Sequence, residues 1–324
     1  MVAWERLRDL DLVVDSVRTE RRSVDVSTQF TRVTTTYVFS GGGHEGRGED
    51  VTYDAAAHDT LKLMGASGRW TLSAFSDALE GMAFEDYRRW AWESAALDLA
   101  LRQNGISLGD AVERGYSPVR FVVSTRGDAF AWLAAAPELE LKLDPANDWE
   151  RPFMERLART RRVRVLDLKA YYTGTPVDVV PDPDLYRNVV ELFPDVVIED
   201  ASLDGDCGDV VRPHAGRLSF DAPIHSADDV RGLAVEPGWL NIKPSRFGTV
   251  ARLLECIEYC EAKRIRLYGG GQFELGVGRR QIQALASLFY PDGPNDVAPS
   301  EYNVGEPRSG LPQSPLPPAS AVGF

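Results

Sequence analysis

Apolar positions along the chain keep two different rhythms, and the change falls near Gly115. Before it, residues 11–26 and 29–40 alternate apolar with polar or β-branched side chains, as in Val33-Thr34-Thr35-Thr36-Tyr37-Val38-Phe39. Alternation with period two predicts two strands. Gly41-Gly42-Gly43 breaks the second, and a stretch ending at Val51 returns as a third. Helical patterns follow at 54–64, 71–80 and 85–104. The last is rich in good helix formers, and Asn104-Gly105 supplies its stop. Strands followed by helices predict a small α+β domain.

After Gly115, short apolar runs alternate with amphipathic stretches. The runs are Val119–Val123, Leu139–Leu143, Val163–Leu166, Val196–Ile198, Leu218–Phe220, Leu240–Ile242 and Ile265–Leu267. Between most of them lie helical patterns at 149–160, 184–193, 226–233, 247–262 and 276–289. Near-continuous apolar strands separated by helices indicate a parallel sheet covered on both faces. This many units suit a closed TIM-type barrel. A doubly wound open sheet is the alternative, but no Gly-x-Gly-x-x-Gly follows the first run. The division is then an α+β domain over 1–115, a barrel over 116–290 and a C-terminal segment over 291–324. The Pro-rich end of that segment, 309–318, predicts extended chain, wrapping back over the surface or disordered.

The residues that end the apolar runs carry the chemistry. Val163–Leu166 ends in Asp167, Val196–Ile198 in Glu199, Leu218–Phe220 in Asp221 and Leu240–Ile242 in Lys243; Lys142 lies near the end of Leu139–Leu143. In a barrel these ends converge on one mouth. A single acid after a strand reads as a helix N-cap. Three acids from consecutive strands, followed by a lysine, do not reduce to capping. Carboxylates so close repel unless a cation sits among them, and an all-oxygen set selects a hard ion, of which Mg²⁺ is the usual one. A lysine on each side suits proton transfer once its pKa is tuned down from its ordinary value.

Composition narrows the partners. A formal net charge of −13 argues against nucleic acid and against an anionic membrane surface. The opening MVAWERLRDLDL has no apolar signal core, and no run approaches a membrane span, so a cytoplasmic protein is expected. Cys207, Cys256 and Cys260 read as buried thiols rather than a disulfide framework. None of the four histidines has a metal or triad spacing; His225 is the one that could face the mouth. Asp200, next to Glu199, points elsewhere if strand alternation continues. Arg246 reads as structural or supporting, and Glu274 as a pocket residue or a helix cap. The Gly41-Gly42-Gly43-His44 loop reads equally as a plain hairpin turn or as a flap over the mouth.

Four segments in this order resemble the enolase superfamily, in its muconate-lactonizing and mandelate-racemase-like branch. They are Trp92-Glu93-Ser94-Ala95-Ala96-Leu97-Asp98, Ile198-Glu199-Asp200, Asn241-Ile242-Lys243-Pro244-Ser245-Arg246-Phe247-Gly248 and the glycine-rich run 269–279. The resemblance implies a (β/α)7β barrel under an N-terminal α+β capping domain. It implies Asp167, Glu199 and Asp221 as Mg²⁺ ligands, with Lys142 and Lys243 as acid/base groups on opposite faces of a small-molecule carboxylate. The implied step is abstraction of the proton α to that carboxylate through a metal-stabilised enediolate, leading to racemisation or epimerisation, cycloisomerisation or dehydration. A lyase or isomerase is expected, and self-association into a homo-oligomer is compatible with it. An acid-sugar dehydratase fits less well, since no histidine lies near Ile265–Leu267. The chain departs from the family pattern in three places. Glu140 stands where the first lysine of Lys-x-Lys is usual, Lys169 where the asparagine of Asp-x-Asn is usual, and Ala222 where the glutamate of Asp-Glu is usual. These departures motivate the alternative of a non-catalytic metal- or ligand-binding protein on the same scaffold.

Overall fold

The structure, a computed structural model, describes residues 3–27, 30–61, 65–303, 306–318 and 321–324. The predicted strand over 11–26 divides at Asp15 into β1 (Asp11–Val14) and β2 (Ser16–Ser27). β2 runs antiparallel to β3 (Phe30–Gly41), which pairs with β4 (His44–Asp50) across the Gly42-Gly43 turn. Both turn glycines have positive φ, where a side chain is strained, so a tight hairpin forms there. β1 leaves that sheet to pair with β5 (Gly68–Thr71), a strand the periodicity does not reveal. The helical pattern at 54–64 gives only a short 3₁₀ turn, Ala55–His58, while 62–64 lie outside the described residues.

The helix Asp86–Gln103 organises this half. Its residues from Trp90 to Leu101 are all buried. Gly46 and Gly48 on β4 let the helix approach closely, because a Cβ at Gly46 would lie 2.2 Å from the Leu99 nitrogen and one at Gly48 2.0 Å from the Ala91 carbonyl oxygen. Trp92 stacks edge-on against Phe39 and tilts against Tyr37, both on β3.

The second half is parallel, as the runs predict. β6 (Val123–Thr125), β7 (Leu141–Leu143), β8 (Val163–Asp167), β9 (Val197–Glu199) and β10 (Leu218–Ser219) form one sheet in sequence order. β11 (Trp239–Ile242) and β12 (Arg266–Gly269) form a parallel pair. The Asn241 amide bonds to the Phe220 carbonyl at 3.1 Å, beside the end of β10. Gly270 bridges Asp296, and Phe121 bridges Asn295 next to β6. Helices such as Arg151–Arg159, Pro183–Leu192, Val250–Lys263 and Val277–Phe289 separate the strands. No helix among the described residues is long and apolar enough to cross a membrane.

The C-terminal stretch lies on the surface of both halves. Leu316 pairs with Val119 and Gly323 with Ser107, and the Phe324 ring meets Trp90 edge-on at 6.3 Å. The glycine loop after β3 is a hairpin turn packed beside Gln103, whose amide donates to the Gly41 carbonyl at 3.0 Å.

Candidate metal and proton-transfer site

Parallel strands in sequence order carry their C-terminal ends to one side, so the run-ending residues meet there. Lys142 sits in β7, Asp167 ends β8, Glu199 ends β9, Asp221 follows β10, and Lys243 follows β11. The acid-bearing ends thus stand between the two lysine-bearing ones. All five residues are buried.

Glu199 is held from both sides. Lys142 Nζ lies 2.5 Å from Oε1, and Asn241 Nδ2 donates to the same oxygen at 3.1 Å. The Tyr268 hydroxyl donates to Oε2, and Ser219 Oγ lies 3.0 Å from that hydroxyl. Even so, burial outweighs the Lys142 ammonium, and with the nearby Asp167 charge it lifts the Glu199 carboxyl to about 7. Asp167 takes the opposite direction. Burial acts to raise it, but the Lys169 and Lys142 ammonium groups bring it down to about 2. For Lys142, burial acts downward and the Glu199, Asp167 and Asp296 carboxylates override it, holding the ammonium well above the ordinary lysine range.

Asp221 has its own cations. Lys243 Nζ lies 2.8 Å from Oδ2 and Arg246 Nη1 3.1 Å from Oδ1. The Arg246 contact is an ion pair without hydrogen-bond geometry, so Oδ1 has no hydrogen-bond donor. Tyr172, on the loop after β8, donates to Oδ2 at 3.1 Å and accepts from Arg246 Nη2 at 3.2 Å. Burial opposes ionisation of Asp221, but Arg246 and Lys243 keep it well below the usual carboxylate range.

Asp200 departs from the sequence expectation. It adopts a left-handed backbone (φ 49°), which breaks the strand alternation and keeps the side chain inside. Its oxygens accept from the Asp221 amide at 2.8 Å and the Ala222 amide at 3.1 Å, fixing the turn that presents Asp221. Asp167, Glu199 and Asp200 each offer an oxygen within 4.8 Å of the others, a grouping able to hold a metal ion that Asp221 does not join. Burial and the charges of Asp221, Asp167 and Glu199 push the Asp200 carboxyl well above its ordinary range. The donor set suits Mg²⁺ in being all oxygen, and a cation would offset the burial that holds the Glu199 and Asp200 carboxyls above their ordinary range; beside it, Asp221 Oδ1 lacks a hydrogen-bond donor.

Other weighed residues find structural roles. His225 is half exposed and turns Nδ1 to the Arg246 carbonyl (3.1 Å) and Asp86 (3.5 Å). Glu274 accepts from the Gln272 amide at 2.6 Å and pairs with Arg279 at 3.4 Å. Glu140 turns from the cluster to Arg120 and Arg164. The three cysteines are free and buried. Sequence reasoning missed Tyr172, Tyr268 and Asn241. Asn241 stands two residues before Lys243 and is readable from that spacing, Tyr268 follows the apolar run Ile265–Leu267 as the acids follow theirs, and Tyr172 carries no such signal.

Two adjoining profiles of one family match the chain: "Domain of unknown function (DUF8230) N-terminal domain" over residues 5–111 and "Domain of unknown function (DUF8230) C-terminal domain" over 115–304. The chain belongs to the DUF8230 family. Its fold is that of the enolase superfamily. A dipeptide epimerase from Methylococcus capsulatus, solved with Mg and the dipeptide L-Arg-D-Lys, superposes with TM-score 0.72 at 18% identity, covering 96% of this chain and 99% of that one. The muconate lactonizing enzyme from Pseudomonas putida gives TM-score 0.63 at 17% identity, covering 88% of each chain. In sequence, o-succinylbenzoate synthase of Bacillus subtilis (strain 168) is 37% identical over 86 residues. That match takes in 26% of this chain and 23% of the relative's length.

Proposed function

We propose that this DUF8230 protein is a Mg²⁺-dependent lyase or isomerase that abstracts the proton α to the carboxylate of a small-molecule substrate. The observation that carries the reading is the buried Asp167–Glu199–Asp200 grouping at consecutive strand ends, flanked by Lys142 and Lys243. The proposed scaffold is a closed (β/α)7β barrel over 116–290 with a capping domain over 1–115 and an appended segment over 291–324. Its support is the run of hydrogen bonds from β6 to β10, on to β11 and β12, and through Asp296 and Asn295 back to Phe121. The profile boundary between residues 111 and 115 favours the division near residue 115, while the second profile runs on past 290 to 304.

Asp167 and Glu199 would hold the ion, with Asp221 or Asp200 completing the set. Bound there, Mg²⁺ supplies positive charge that offsets negative charge developing on the substrate carboxylate. Lys243 and Lys142 approach from separate strand ends, which suits one lysine removing the α-proton and the other returning one. A lysine acts as base only in its neutral form, and these two are held protonated by the acids they touch. Were Asp167 and Glu199 to serve a cation, their hold on Lys142 would weaken, and with Asp221 as the third ligand the same would apply to Lys243, favouring the neutral form that a base needs. Arg246 and Tyr172 keep Asp221 aligned beside Lys243.

The reaction that follows proton removal is proposed as racemisation or epimerisation, cycloisomerisation or dehydration, in keeping with the dipeptide epimerase and muconate lactonizing enzyme whose fold it shares. The test is proton NMR in D₂O with Mg²⁺ on N-acyl amino acids, dipeptides, hydroxy acids and cyclic acids. An α-proton signal should disappear with wild type and persist with Lys243→Ala, which keeps its fold by circular dichroism. Exchange at wild-type rate in Lys243→Ala sinks the assignment. Mg²⁺ binding with no exchange on any of them favours the second reading, a non-catalytic ligand-binding protein, which the outward turn of Glu140 motivates.

A further inference from the structure

The cluster contains one lysine more than proton transfer between two faces needs. Lys169 Nζ contacts Asp167 Oδ2, the same oxygen that Lys142 Nζ reaches at 3.5 Å. Its other acid, Asp144, is 3.8 Å away and already pairs with Arg126 at 2.8 Å. The Tyr172 ring lies under the ammonium at 4.9 Å. Lys169 has φ 55°, a left-handed backbone that a lysine adopts only when its surroundings hold it there. Side-chain exposure separates the three lysines: Lys142 is sunk at 3%, whereas Lys169 keeps 11% and Lys243 10%.

We propose that Lys169 is a substrate-binding residue, whose ammonium holds the carboxylate of the substrate beside Asp167. The inference rests on the proposed function for the identity of the site. Its physical basis is charge. Once Asp167 serves a divalent cation, the carboxylate that compensates Lys169 is committed elsewhere, and Asp144 is already shared with Arg126. A buried ammonium is then left short of counter-charge, and a carboxylate oxygen is its natural partner. Glu140 cannot fill this role, because Arg120 and Arg164 hold it away from the cluster.

The test uses Lys169→Met and Lys169→Arg in the full chain, with two readouts. The first is Mg²⁺ affinity by calorimetry without substrate. Lys169→Met should bind Mg²⁺ as tightly as wild type or several-fold tighter, since a competitor for Asp167 is gone. The second is benzoate binding to the Mg²⁺-loaded protein, followed by NMR line broadening. Lys169→Met should weaken it about tenfold or more, the scale of one charge-assisted hydrogen bond, and Lys169→Arg should restore most of it. Equal benzoate binding by Lys169→Met and wild type overturns the inference. So does weaker Mg²⁺ binding in Lys169→Met, which makes Lys169 a prop for the acids, and so does failure of wild type to bind benzoate. Intact, Lys169-dependent benzoate binding with no α-proton exchange on any substrate overturns the proton-abstraction reading and leaves Lys169 as the carboxylate anchor.

Discussion

Glu93 offers a test of how the two halves are joined behind Lys243. It lies wholly buried in the helix Asp86–Gln103, and its carboxylate accepts from the Val250 amide at 2.9 Å and from Ser76 Oγ at 3.0 Å. Val250 opens the helix that follows the Lys243 turn, so this bond ties the first half to the lysine-bearing segment. Burial raises the Glu93 carboxyl from its ordinary 4.5 to about 7, against the pull of both hydrogen bonds. The folded state therefore holds its proton more tightly than the unfolded state. Stability is greatest below pH 4.5, falls as pH rises from 4.5 to about 7, and is flat above that as far as this group is concerned. At about 1.4 kcal/mol per unit, the loss amounts to about 3 kcal/mol. Glu93→Gln keeps an acceptor for the Val250 amide and does not titrate. In urea unfolding the variant should nearly match wild type at pH 5 and exceed it by about 3 kcal/mol at pH 8. The same difference at both pH values refutes the reasoning.

Two further outcomes follow from the cluster. Lys142→Met strips the buried Glu199 of its nearest cation, and breaking such a pair costs about 3–5 kcal/mol. Urea unfolding should show that loss at pH 8, a smaller one at pH 6 where Glu199 takes up a proton, and partial recovery with Mg²⁺; a loss below about 1 kcal/mol at pH 8 contradicts the pairing. Tyr268→Phe removes a donor to Glu199 Oε2. Calorimetry should show Mg²⁺ affinity reduced about 10- to 100-fold with the fold retained, and unchanged affinity would mean that Tyr268 does not orient this ligand.

Local periodicity carried the parallel half of the fold and the site's framework. Asp167, Glu199, Asp221 and Lys243 were legible because each ends an apolar run, and a parallel sheet sends such ends to one side. The Asp86–Gln103 helix was legible from its composition and stop. What local pattern could not carry was pairing between distant segments. β1 and β2 read as one strand because no glycine or proline interrupts residues 11–26, and only their partners, β5 and β3, separate them. Asn295 and Asp296 look like part of a tail, yet their backbones meet Phe121 and Gly270. The site's inner arrangement was likewise a tertiary matter. Asp200 faces inward through a backbone conformation that alternation forbids, Tyr172 reaches Asp221 from a loop, and Lys169 shares an oxygen with Lys142 across two strands. Apolar spacing sets which side of a strand a residue occupies; which charges meet there depends on loop paths and on the electrostatic cost of burying acids without cations.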